Sequence, residues 1–260
     1  MSKIDFQHLA EHFQITSKPR QNVLLSFRAD ELLDYKNMEL LVQTYAPLIK
    51  AKDESPVGTY FCSWLGAFAL GHQYMISVWN CSLDMALENW TVELYVDGEY
   101  GRFAFVCHDT ETRTAPEGEE QRNHWREQQY RELYQRTVKP VIQVLSAATG
   151  NPPGILWGQL PSRFNYYMEL FIDTVADPVG KQRLEQDYHF LSHELGSEVF
   201  GQPKNPFDVK IHWVEDLRDP LKKVRLKNQC CLYFKTEGGY YCYTCPRLKE
   251  SERAERRIQA

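Results

Sequence analysis

The sequence predicts an α+β fold: a mostly helical body over residues 1–200 that carries an antiparallel hairpin, followed by a small cysteine-rich module and terminal helix over residues 201–260. Three observations predict it. Apolar residues recur at helical spacing through most of the first two hundred positions. The stretch WTVELYVDGEYGRFAFVCHD switches to strict alternation around Asp97-Gly98. Four of the seven cysteines then fall within CCLYFKTEGGYYCYTCP, close to the C-terminus.

Taken in order, residues 4–13 place Phe6, Leu9 and Phe13 on one helical face, and residues 29–49 do the same with Leu32, Leu33, Leu40, Leu41 and Tyr45. Residues 55–83 hold no Asp, Glu, Lys or Arg and are long enough to span a bilayer. Ser63, Gly66, His72, Gln73, Ser77 and Asn80 interrupt that stretch, so a buried core helix over 57–79, broken near Gly71, is the better reading. Strands are expected at 90–96 and 102–108. A long helix over 119–148 should kink or divide at Pro140. Residues 150–154 form a turn, and a helix is expected from about Ser162. Another starts at Asp177-Pro178, where Asp caps and Pro fits the first turn, and runs to Val199. Turn residues from Gly201 mark a boundary. One strand at 208–214 leads into the cysteine module, about 217–248, and a charged helix ends the chain.

Composition narrows the function classes. Hydrophobic residues make up 43% and charged residues 25% of the chain, enough to build a core. With 30 Lys and Arg against 35 Asp and Glu there is no global basic character, and nucleic acid is not an expected partner. The N-terminus carries Lys3, Asp5 and Glu11 and no secretion signal pattern, which predicts a cytoplasmic protein.

Cys62, Cys81 and Cys107 stand alone in apolar or strand-like surroundings and read as small buried hydrophobes. Cys230, Cys231, Cys242 and Cys245 form the pattern C-C-x10-C-x2-C. A disulfide framework does not suit a reducing compartment, whereas four thiolates complete either an all-thiolate zinc site or the ligand set of a [2Fe-2S] cluster. A zinc ribbon uses two C-x2-C knuckles, and only Cys242 and Cys245 form one. Adjacent cysteines in a strand point apart, so Cys230 and Cys231 reach one centre only if the backbone turns locally.

In this motif and its context, including Pro246 after the last cysteine, the sequence resembles the FhuF-like ferric-siderophore reductases. The likeness implies that Cys230, Cys231, Cys242 and Cys245 bind a [2Fe-2S] cluster. It also implies a body related to the C-terminal region of aerobactin-type siderophore synthetases. The implied activity is one-electron reduction of a ferric siderophore, of hydroxamate or citrate-hydroxamate type, with release of ferrous iron. Hard oxygen donors hold ferrous iron far less tightly than ferric, so reduction frees the cargo.

Basic residues crowd the motif, and Arg225, Lys227, Lys235 and Arg247 are the candidate contacts for an anionic ferric siderophore. Gly238-Gly239 reads as a hairpin turn returning the chain to the metal. Tyr233, Phe234, Tyr240, Tyr241 and Tyr243 are expected to shield the centre or to stack on the siderophore. His189 and His193 stand at helical spacing without an H-E-x-x-H pattern and read as surface or packing residues. No G-x-G-x-x-G segment supports a nicotinamide or flavin site, so an external electron donor is expected, with peripheral association at an uptake transporter in the inner membrane. Two other readings stay open: a zinc-bearing binding protein without enzymatic activity, and a [2Fe-2S] carrier or redox sensor without a siderophore substrate.

Overall fold

The structure, a computed structural model, describes residues 4–259. Helix α1 (Phe6–Phe13) begins where the Asp5 carboxylate accepts the amides of Gln7 and His8, and it buries Leu9 and Phe13. Strands β1 (Ile15–Thr16) and β2 (Val23–Arg28) follow. The helix expected over 29–49 is divided: a 3-10 turn, Ala29–Leu33, ends at extended Asp34, whose carboxylate caps α2 (Tyr35–Leu48) through the Lys36 amide. A side chain that accepts a backbone N–H at that point competes with helix continuation.

Helix α3 (Ser55–Ser77) is the central element, buried on nearly every face. It runs unbroken through Gly71, where the missing side chain lets Phe13 and Ile15 pack against the helix; a Cβ there would lie 2.9 Å from Phe13 Cβ. Among the described residues no helix is long and apolar enough to cross a membrane. The polar residues of α3 that argued against a span, His72, Gln73 and Ser77, are buried inside the protein instead.

Strand β3 (Cys81–Ser82) precedes the hairpin of β4 (Trp90–Asp97) and β5 (Tyr100–Cys107), and β6 (Arg113–Thr114) pairs with β3. Asp97 pairs with Tyr100, so the two-residue turn is Gly98-Glu99, one position later than expected, with Gly98 at φ +62°. The main sheet has the order β1-β5-β4-β2, antiparallel except for β1 on β5.

Helix α4 (Glu119–Tyr130) passes into a π-helical stretch, Arg131–Val138, and then α5 (Lys139–Thr149). Pro140 therefore occupies the first turn of α5, and the expected interruption takes the form of widened turns just before it. Short α6 (Pro153–Trp157) leads directly into α7 (Gln159–Thr174), which starts three residues before the expected Ser162. Helix α8 (Pro178–His189) is capped by Asp177 as expected, but helical structure gives way at extended Leu195 rather than continuing to Val199.

Beyond the helices, only the end of the expected strand is regular: β7 (Trp213–Glu215) pairs antiparallel with β8 (Lys223–Arg225). The chain closes with α9 (Glu250–Gln259). Apolar burial forms one cluster from Ile4 to Phe207, including Trp90, Trp157, Tyr130 and Phe164, and a small separate cluster of Cys230, Leu232, Cys245 and Leu248.

A buried polar network joins α3, α4 and α8. The fully buried Asp187 carboxylate accepts from Arg122 at 2.6 and 2.9 Å, from Arg126 at 3.2 Å and from Ser77 at 2.8 Å. Gln73 donates to Ser77, and Tyr130 donates to Gln73 and to the Asp187 carbonyl. A charge taken out of water needs this many partners.

Candidate metal centre

The cysteine module is fastened to the body through its own backbone. The Cys231 carbonyl accepts from Thr59 Oγ1 of α3 at 2.7 Å, and the Cys230 carbonyl accepts from Gln159 Nε2 of α7 at 3.2 Å. Immediately after the pair, Leu232 takes a left-handed conformation at φ +59°, uncommon for a bulky residue. The chain therefore turns directly after the two adjacent cysteines. Tyr233–Lys235 form a 3-10 turn, and the Lys52 amide donates to the Lys235 carbonyl and the Glu237 amide to that of Lys50.

Gly238, at φ +68°, reverses the chain, and Gly239 donates to the Thr236 carbonyl. The reversal lacks strand arms, so the expected hairpin is a compact turn. The Cys242–Cys245 knuckle closes with Cys245 N donating to the Cys242 carbonyl and Leu248 N to that of Cys245.

The sulfurs come as two pairs. Cys230 and Cys245 are buried, with Sγ atoms 3.5 Å apart. Cys231 and Cys242 are only partly buried, and the Lys227 ammonium serves both, at 3.9 Å from Cys231 Sγ. Burial pushes the Cys230 thiol up to about 11 and also raises that of Cys242, against the pull of Lys227. Burial works against the charge on Lys227, but the neighbouring Cys231 and Cys242 outweigh it and raise its pKa. Among the described residues no three His, Cys, Asp or Glu side chains form a group that would hold a single metal ion. Cys62, Cys81 and Cys107 are buried in the body, with burial raising all three thiols. His189 and His193 stack on each other at the surface, 4.7 Å apart.

Helix α9 holds the knuckle from outside. Arg253, buried, donates to the carbonyls of Tyr243, Cys245 and Leu248, and Arg256 donates to that of Tyr241. Nothing in the sequence beyond a charged helix pointed to these contacts, because the pairing partners are backbone carbonyls.

Between module and body lies a cleft of about 790 Å³. Tyr60 of α3 and Arg163, Tyr166 and Tyr167 of α7 form one wall; Trp213, Arg225 and Lys227 form the other, and Cys231 opens onto it. Of the four basic residues expected to meet substrate, Arg225 and Lys227 line this cleft. Lys235 instead pairs with Asp53 at 2.9 Å and donates to Ser55, and Arg247 packs over Phe234 with its guanidinium carbon 5.7 Å from the ring centre. The module's own aromatics stay outside the cleft: Tyr233 packs on Tyr240 and Phe234 on Tyr241, while Tyr243 donates to the Glu215 carbonyl.

Three buried polar atoms at the cleft lack a partner, namely Arg163 Nε, Arg225 Nε and Asn228 Nδ2. Arg163 lies over the Tyr167 ring and Arg225 over Trp213, at 5.1 and 4.9 Å to the ring centres. Arg225 also donates to the Asn165 carbonyl and pairs with Glu169. Arg163, Tyr60 and Trp213 went unnoticed in the sequence, since each sits alone and only the fold collects them. No protein-family model matches the chain, and no curated protein matches it in sequence.

Proposed function

We propose that the protein is a one-electron reductase of ferric siderophores, with Cys230, Cys231, Cys242 and Cys245 as the ligands of a [2Fe-2S] cluster. The observation that carries this reading is the division of the thiols into a buried pair and a partly exposed pair, of which Cys231 faces a cleft large enough for a chelate. The donor set fits. Four thiols, ligands of the soft-metal type, lie in one module, Cys230 and Cys245 with sulfurs 3.5 Å apart and Cys231 and Cys242 both beside Lys227, whose ammonium would offset the negative charge that four thiolates bring. When bound, the cluster supplies a one-electron carrier whose potential responds to nearby charge and hydrogen bonds.

The residues of this chain do the rest. Thr59 and Gln159 hold the Cys230-Cys231 backbone against the body, and Arg253 fixes the carbonyls around Cys245. Lys227 bridges the sulfurs of Cys231, which lines the cleft, and Cys242. One electron enters from an external donor and one leaves to ferric iron; no bond is made to the protein, and the freed oxygen donors of the siderophore take up protons as ferrous iron departs. The likeness to the FhuF-like reductases supports a siderophore as the carrier of that iron, and a cytoplasmic place for the reaction, beside an uptake transporter.

Single-turnover reoxidation tests the reading. Dithionite-reduced protein mixed anaerobically with ferric siderophores should be reoxidised, with about one ferrous ion trapped per reduced centre. Protein that is inert to every ferric siderophore but is reoxidised by electron-transfer proteins would make it a carrier instead.

A further inference from the structure

We infer that the cleft between α3, α7 and the β7–β8 ribbon is the seat of the ferric chelate and selects chelates of net negative charge, with Arg163 as its principal anion-binding residue. The inference rests on the reductase reading above for the identity of the ligand, and on the cleft itself for its charge. Arg163, Arg225, Lys223 and Lys227 line it against one carboxylate, Glu169. Glu169 is already committed to Arg225, and Lys227 to the sulfurs of Cys231 and Cys242. Arg163 has no acidic partner. Its guanidinium rests on Tyr167 and its Nε is buried without an acceptor, so an anion entering the cleft would meet a cation with no competing carboxylate.

Arg225 Nε and Asn228 Nδ2 are likewise without partners, so three unpartnered N–H groups belong to residues that line the cleft. A carboxylate-bearing chelate supplies oxygen acceptors in that number, and a cationic or neutral trihydroxamate supplies fewer charges to meet them. The aromatic walls, Tyr60, Tyr166 and Trp213, suit the carbon framework of such a ligand. Tyr166 and Trp213 are substantially exposed, which leaves the entrance open to a solute from water.

Gallium(III) complexes make the test, because gallium replaces ferric iron in such chelates and accepts no electron, so binding is read without electron transfer. Titrated into the full-length protein and followed by tryptophan fluorescence and calorimetry, the gallium complex of a citrate-hydroxamate chelate should bind at least about tenfold more tightly than the cationic complex of a linear trihydroxamate. Arg163→Gln should weaken the anionic complex about tenfold or more and leave the cationic one nearly unchanged. Glu169→Gln, at an exposed site, should act in the opposite direction and tighten the anionic complex, which a merely misfolded variant would not do. Equal affinity for the two complexes, no binding of either, or indifference to both substitutions would overturn the inference. Tight, Arg163-dependent gallium binding without reduction of the ferric complex would uphold this site and remove the reductase reading. Reduction that ignores both substitutions would do the reverse.

Discussion

The arginines around Asp187 and the arginines of the cleft are held in different ways. Around Asp187 the guanidiniums of Arg122 and Arg126 share the carboxylate, and Arg122 also donates to the Ile76 carbonyl and the Asn80 side-chain oxygen; Arg126 Nε has no partner, and its guanidinium stacks 4.0 Å from the Phe190 ring centre. At the cleft, Arg163 has an aromatic ring and no anion. In the first cluster both guanidiniums meet a buried carboxylate, and the network fixes how α3, α4 and α8 meet. The second would be completed by the anion proposed above, and the contrast lies in which arginines a carboxylate already meets.

The largest expected effects lie in the sulfur pairs. If the four cysteines hold the cluster proposed above, Cys230→Ser takes a ligand from the buried pair and should abolish cluster assembly, read as loss of visible absorbance and of bound iron and sulfide. Cys231→Ser, at the exposed pair beside Lys227, should retain a part of the cluster with a shifted spectrum. Equal loss in both would erase the distinction between inner and outer pairs.

Next in size, Asp187→Ala leaves two arginines buried without a carboxylate and should cost about 3–5 kcal/mol in denaturant unfolding. Arg163→Gln, by contrast, removes an unpaired charge and should change stability by less than about 1 kcal/mol. A large loss at Arg163 would show that it, too, is structural.

His72 supplies an intermediate case: it is fully buried, with neither ring nitrogen hydrogen-bonded, and it lies away from the cleft. Burial holds its pKa down at about 3 against 6.5 for the ordinary side chain. Between those values the unfolded chain takes up a proton that the folded protein excludes. Stability from this residue is therefore complete above pH 6.5 and falls by about 1.4 kcal/mol per pH unit on acidification toward pH 3. His72→Phe should flatten that part of the profile, measured by unfolding at several pH values.

The smallest effect concerns tuning. Lys227→Met keeps the length of the side chain and removes the charge beside Cys231 and Cys242, so the more negative reduced state loses a stabilising partner. The reduction potential should fall by on the order of 50 mV, with the cluster otherwise intact. An unchanged potential would place the ammonium outside the field of the centre.

Local chemistry was readable in the sequence where a few neighbouring residues decide the outcome. The β4–β5 hairpin follows from alternation and a positive-φ glycine, the start of α8 from Asp177-Pro178, and the four grouped cysteines from their spacing. β2 escaped notice because Leu24 and Leu25 are both apolar, although Leu24 is exposed, which blurs the alternation. The split at Asp34 was hidden by an apolar pattern that continues across it. The cleft was not readable at all, because its residues run from Thr59 to Thr244 and only tertiary packing assembles them.

The most direct measurement of the central claim is the metal content of protein purified and reconstituted anaerobically. Cluster binding by the four cysteines predicts a red-brown protein with about two iron and two sulfide per chain, lost in Cys230→Ser. A colourless protein holding about one zinc and no sulfide would contradict it.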